Sequence, residues 1–273
     1  MSVATVMVYV DPTQQAEGQV RVARGVANKF GASLVGVSAL EVEPTFVAEG
    51  VIIQQTTAAD LERMKSVLVG KEQWFRSIVG LQQERVEWRW TVQYPTVFLA
   101  EEARSADLVV VKRDQDGMDP YHHVDPAEAM LRMGRPTLFV PEYVSELRAD
   151  RVVVGWKDTR EARIAVRDAL PFLTEAAEVM IIEICTSDEQ DAAHRRLRDV
   201  AKYLQAHGAK CRTEVRVQMA ETDAHQLIRL ASDGGADLIV TGGYGHSRLG
   251  EWMFGGMTRG LLNEAPFCLL MSH

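Results

Sequence analysis

"TGGYGHSRLGEWMFGGMTRGLL", residues 241–262, carries seven of the 20 glycines in this 273-residue chain. The run Asp237-Leu-Ile-Val-Thr241 leads into it with the continuous apolar character of a strand buried on both faces. A helix is expected over Thr258–Asn263, near its far end. Glycine permits positive φ and close approach of a ligand to the backbone. Free N–H groups at a loop that opens a helix make an anion site. The residues alone allow two readings: the stretch cradles a phosphate, or it only turns the chain between strand and helix. Common nucleotide motifs do not fit. G-x-x-x-x-G-K-[ST] is absent, and Gly243-x-Gly245 runs on into His246, Ser247 and Arg248, so G-x-G-x-x-G fails too.

Working outward, the chain repeats itself. "SADLVVV" (105–111) answers "GADLIVT" (235–241), and "GRPTLFVPE" (134–142) answers "EAPFCLLMS" (264–272). Val6-Met-Val-Tyr-Val-Asp11 is an apolar run ending at an aspartate, and Val152-Val-Val-Gly-Trp-Lys-Asp158 has the same layout. Three landmarks in one order indicate two copies, 1–145 and 148–273. In the second copy, strands are expected at Arg151–Gly155, Val179–Ile184, Arg212–Gln218, Asp237–Thr241 and Phe267–Met271. Helices are expected at Glu161–Leu173, Glu189–His207 and Thr222–Gly234 as well as Thr258–Asn263. This alternation predicts an α/β fold of two tandem doubly wound, open parallel sheets with helices on both faces. Ligands of such sheets bind beyond the C-terminal strand ends, where the winding switches. Asp158 and the glycine stretch are therefore expected to share one crevice. The first copy has a longer connection, residues 41–57, whose Phe46, Val47, Val51, Ile52 and Ile53 suit a lid or a dimer contact.

A net charge of −8 and a pI near 5.5 argue against a nucleic-acid partner. No apolar run approaches the roughly 18–20 residues of a membrane span, and Cys185, Cys211 and Cys268 signal neither a disulfide framework nor a zinc site. A cytoplasmic setting is expected.

Gly242-x-x-Gly245, nine residues, then Gly255 resembles the nucleotide loop of the universal stress protein family. "ADLIVTGGYGHS", the strand-terminal Asp158 and the closing "APFCLLMS" fall where that family has them. The resemblance covers both copies and implies a tandem protein with a five-stranded parallel sheet in each. For the second copy it implies bound ATP, with or without Mg²⁺, as a regulatory ligand. By position, Lys157 and Asp158 lie near the adenosine, and Ile184 flanks the base. Thr241, Gly242, Tyr244, Gly245, Gly255, Gly256, Met257 and Thr258 wrap ribose and phosphates. Nucleotide-binding members carry Ser or Thr where this chain has Gly256, so weaker or altered binding is expected. The resemblance also implies that the fifth strands, Thr137–Val140 and Phe267–Leu270, pair across a two-fold, within the chain or in a homo-oligomer such as a dimer.

The first copy departs further: residues 112–126 hold one glycine and four aspartates, and no family-type nucleotide site is expected there. Asp119, His122, His123 and Asp125 have metal-capable chemistry at loose spacing, and a solvated loop is the plainer reading. Trp88 and Trp90 share a strand face and are expected to pack. No catalytic constellation can be assembled from spacing. An enzyme is not expected. The alternatives to a nucleotide-responsive stress protein with an unknown protein partner are a non-binding scaffold and a slow ATPase.

Overall fold

The structure is a computed structural model. It describes residues 2–14, 17–42, 46–48, 51–54, 57–80, 85–113, 119, 121–243 and 256–273. Its elements run β1 (Thr5–Tyr9), α1 (Glu17–Phe30), β2 (Ser33–Leu40), β3 (Phe46–Ala48), β4 (Val51–Gln54), α2 (Ala58–Val79) and β5 (Val86–Val92). There follow α3 (Pro95–Glu102), β6 (Leu108–Lys112), α4 (Pro126–Met133) and β7 (Thr137–Val140). The second half comprises β8 (Arg151–Gly155), α5 (Arg160–Asp168), α6 (Leu170–Glu175), β9 (Glu178–Cys185), α7 (Gln190–Ala206) and β10 (Cys211–Val217). It ends with α8 (Asp223–Asp233), β11 (Leu238–Gly242), α9 (Gly256–Glu264) and β12 (Cys268–Ser272).

Ten strands form one sheet in the order β10-β9-β8-β11-β12-β7-β6-β1-β2-β5. All neighbours are parallel except β12 and β7, which are antiparallel. The order is a palindrome of two halves, and its centre fixes the relation between them. β6 and β11 carry the matching sequences 105–111 and 235–241. Val6, Met7 and Val8 pair with Leu108, Val109 and Val110, as Val152, Val153 and Val154 pair with Leu238, Ile239 and Val240. Thr137 lies opposite Val109, as Leu269 lies opposite Ile239. At the junction Leu270 faces Leu138, its own equivalent, flanked by Leu269–Phe139 and Met271–Thr137. An internal two-fold therefore passes through Leu138 and Leu270. Pairing β7 with β12 also removes two exposed sheet edges.

The halves share local devices. The Asp107 carboxylate accepts from the N–H groups of Ala4 and Thr5, and Asp237 accepts from those of Asp150 and Arg151. These bonds satisfy the start of the innermost strand in each half. Burial follows the two sheet faces. One apolar cluster includes Val6, Val8, Val152, Val154 and Trp156; the other includes Met7, Tyr9, Val153, Ile182 and Leu227. The first runs across the junction, where Phe30 of α1 meets Phe172 of α6 edge-on at 5.1 Å.

Two corrections concern helices. Residues 161–173 were expected as one helix, but α5 and α6 are separate. Pro171 has no N–H for the Arg167 carbonyl, so the ladder breaks after the Ala169 N–H has closed α5 on the Ala165 carbonyl at 2.9 Å. The last helix starts at Gly256 and ends at Glu264, longer than expected. In the first half, β3 and β4 pair antiparallel as a small hairpin, and α2 opens on a Thr57–Asp60 capping box. The lid and dimer expectations for Phe46, Val47, Val51, Ile52 and Ile53 rest on side chains outside the described residues. Trp88 packs on Phe75 with ring centroids 5.0 Å apart.

Candidate functional site

The winding of the second half reverses between β8, whose crossover leads outward to β9, and β11, which lies inward. A crevice of about 120 Å³ opens there at the C-terminal ends of the strands. β8 contributes Gly155, and the turn after it contributes Lys157 and Thr159. Glu161 and Ala162 come from α5, Ile182 and Ile184 from β9, and Asp223 and Leu227 from α8. Thr241 and Gly242 end β11, and Met257 and Thr258 lie in the first turn of α9. An engineered apolar cavity of about 150 Å³ takes one benzene ring, so this crevice is scaled for a ring system rather than a whole nucleotide.

Two glycines create the space. A Cβ at Gly155 would stand 2.7 Å from Leu227 Cδ2, and one at Gly242 would stand 2.6 Å from the Ala162 nitrogen. Both fall below ordinary contact, so any side chain would displace α8 or the start of α5. Thr159 caps α5 by accepting from the Ala162 N–H at 3.3 Å, and Thr222 caps α8 by accepting from the His225 N–H at 3.2 Å. The caps hold both helix starts at the rim.

Among the described residues, the wall carries one cation, Lys157, and two carboxylates, Glu161 and Asp223. Oδ1 of Asp223 is buried without a hydrogen-bond partner among the described residues. Cys185, just beyond Ile184 on β9, has its thiol pKa pushed up by burial and by the nearby Glu183 and Glu189 carboxylates, against thiolate chemistry.

Of the residues expected in the site, Lys157, Ile184, Thr241, Gly242, Met257 and Thr258 line this one crevice. Gly256 stands at the exposed start of α9, outside the lining, with open space around a Cβ built on it. Tyr244, Gly245 and Gly255 lie outside the described residues, as do His246, Trp252 and Phe254. Asp158 lies outside this lining. Gly155 and Lys157 line the crevice, Trp156 borders both it and the groove between α5 and α7, and Asp158 borders only that groove. The Asp158 carboxylate accepts from Arg163 at 2.5 Å. It borders a separate groove of about 540 Å³ with Arg163, Arg167, Arg196 and Tyr203. That groove is larger and lies between α5 and α7, with Trp156 and Asp158 bringing it to the end of β8. Its three arginines are paired with Asp158, Asp168 and Glu183.

Sequence reasoning missed Gly155, Ile182, Asp223 and Leu227. Gly155 had a signal, as the glycine that breaks an otherwise bulky strand run.

The two-fold places Tyr9 where the second half has Gly155, and Asp11 where it has Lys157. Tyr9 is buried and its hydroxyl donates to the Ala39 carbonyl at 3.3 Å. Asp11 accepts from the Thr13 N–H and hydroxyl at 2.7 and 2.6 Å and from the Gln14 N–H at 3.2 Å, and it pairs with His123 Nδ1 at 2.6 Å. The space left is about 20 Å³. The other metal-capable groups have partners of their own: Asp119 holds His122, and Asp125 caps α4 through the Ala127 and Glu128 N–H groups.

No curated protein matches the chain. Solved structures do. A universal stress protein from Archaeoglobus fulgidus aligns over 98% of this chain and 97% of its own, at 13% identity and a TM-score of 0.75. A functionally unknown protein from Pseudomonas aeruginosa aligns over 99% and 92%, at 14% identity and a TM-score of 0.63. A putative universal stress protein from the same species aligns over 99% and 93%, at 14% identity and a TM-score of 0.61. At these identities the likeness is one of fold. The sequence itself speaks for the second half, where residues 149–273 match the universal stress protein family.

Proposed function

We propose that residues 148–273 bind an adenine nucleotide, ATP taken up with Mg²⁺, as a regulatory ligand in a cytoplasmic stress response. We propose further that residues 1–145 are a second domain of the same family that supports the first without a ligand of its own. The observation that carries the reading is the crevice at the β8–β11 switch, an apolar slot between Ile182, Ile184 and Leu227 that Gly155 keeps open. The residues fit a base: the slot is ring-sized and its floor is apolar. They fit phosphate less evenly, because Glu161 and Asp223 oppose the charge that Lys157 and the start of α9 favour. Phosphates therefore belong toward Met257, Thr258 and the glycine stretch before them, where Mg²⁺ lowers the repulsion. ATP supplies no step of a reaction here; it supplies shape and charge whose presence or absence the protein reports to a partner.

The second reading, a scaffold that binds no nucleotide, draws on the filled crevice of the first half and on the β7–β12 pairing that joins the halves. Calorimetric titration of nucleotide-stripped protein with ATP and Mg²⁺ separates the two. One-site binding that disappears in Gly155→Tyr is expected. No heat and no thermal shift at millimolar ATP would replace this reading with the scaffold. Multiple turnovers during the titration would instead make the protein a slow ATPase.

A further inference from the structure

Asp223 is the first residue of α8, where an acidic side chain suits the helix dipole, but that position gives its carboxylate no hydrogen-bond donor. The cap of α8 is already made by Thr222, whose hydroxyl accepts from the His225 N–H. Asp223 faces the crevice, and its Oδ1 is buried with no partner among the described residues. A carboxylate oxygen withdrawn from water and left unpaired is costly, and native proteins keep few of them. The matching crevice of the first half shows the contrast. There Asp11 takes three hydrogen bonds from Thr13 and Gln14 and a fourth contact from His123. One carboxylate is saturated by its own chain; the other lines an open, ring-sized slot and keeps one buried oxygen without a partner among the described residues.

We propose that Asp223 selects the ligand's base, accepting a hydrogen bond from an exocyclic amine on a flat heterocycle seated between Ile182, Ile184 and Leu227. The assignment rests on the ligand reading given above and sharpens it. An ionised carboxylate only accepts, so a base with an amine at that edge completes the site. A base with a carbonyl there sets two acceptors against each other and is rejected. A base with only hydrogen leaves Asp223 as unpaired as in the free protein. A site built around a ligand N–H discriminates strongly for this reason. Adenine and 2-aminopurine-type edges fit the requirement, and hypoxanthine does not.

The test is a cycle of titrations with ATP, its analogue lacking the 6-amino group (purine riboside triphosphate), and ITP, each with Mg²⁺. The native protein is expected to bind ATP roughly 10- to 100-fold tighter than the 6-hydrogen analogue, the range for a hydrogen bond to a charged group. ITP should bind weaker still. In Asp223→Ala, ATP and the analogue should bind alike. In Asp223→Asn, which keeps the shape and whose amide can also donate, ITP should gain on ATP. Equal binding of ATP and the analogue by the native protein overturns the assignment while leaving a nucleotide site. So does an unchanged preference in both variants, which would mean that only water meets Asp223. No uptake of ATP at all defeats the ligand reading itself.

Discussion

Two crevices stand at equivalent points of one sheet, and they have opposite contents. In the second half Gly155 leaves a slot of about 120 Å³; in the first, Tyr9 and the Asp11–His123 pair leave about 20 Å³. The strands, their order and the bonds from Asp107 and Asp237 are the same in both. A handful of side chains at the strand ends therefore decides whether the shared frame has room for a ligand. The filled half has another part to play. Arg113, just past the end of β6, is buried and donates to the Ala265 carbonyl just past the end of α9, among the carbonyls a helix leaves without a partner of its own. The first half thus holds the helix whose other end, Met257 and Thr258, lines the crevice of the second.

The comparison breaks most sharply if the fillings are exchanged. Gly155→Tyr places the residue of the filled crevice in the open one. Its Cβ alone would meet Leu227 Cδ2 at 2.7 Å, and overpacking of this kind costs about 1–3 kcal/mol. ATP binding is expected to vanish from calorimetry, with a thermal midpoint lower by several degrees. Undiminished affinity would mean that the ligand lies elsewhere, the 540 Å³ groove beside Asp158 being the next place to look.

Next in size is Arg113→Met. The equivalent residue in the second half is Gly243, which packs against α4: a Cβ there would stand 2.5 Å from Met130 Cε. Removing the guanidinium leaves the Ala265 carbonyl unpaired, a loss of about 1–3 kcal/mol offset in part by the relief of a buried charge. Denaturant unfolding should show a net loss, and amide exchange in α9 should quicken. Exchange unchanged in α9 would show that the two halves meet there without mechanical consequence.

How far these features were legible depends on how local their causes are. β8 was read to the residue, and the other strands of the second half to within about one, because strands buried on both faces are continuous runs of Val, Ile and Leu. The pairing of β7 with β12 followed from the resemblance. Asp158 falls outside the crevice lining for a definite reason. The two apolar runs each end at an aspartate, but the strand register sets Asp11 opposite Lys157, one residue earlier. A slip of one residue exchanges the faces of a strand, so the expected ligand contact became a partner of Arg163. Asp223 gave no sign of its place, since that depends on how α8 lies over β8 and β9. Gly155 gained its meaning only beside Tyr9.

A smaller effect is expected from His123→Ala. His123 is one of several groups on Asp11, whose Thr13 and Gln14 bonds remain, so stability should fall by about 0.5–1.5 kcal/mol. ATP affinity in the second half should not change. A change of severalfold would show that the filled crevice communicates with the open one rather than merely bracing it.

The smallest expected effect runs in the favourable direction. The family resemblance implies a hydroxyl residue where this chain has Gly256, and the proposed reading puts the phosphates at the first turn of α9. Gly256 has no positive φ, and no atom of the described residues lies within 4 Å of a Cβ built on it, so a side chain introduced by Gly256→Ser meets none of them. One added hydroxyl contact to phosphate is worth about 1 kcal/mol, or roughly fivefold in affinity. That gain should appear for ATP and be missing for adenosine, which has no phosphate to meet it. Equal gains for both ligands would mean that the serine acts by ordering α9. No gain for either would place the phosphates away from α9, leaving the crevice to a nucleoside or a free base.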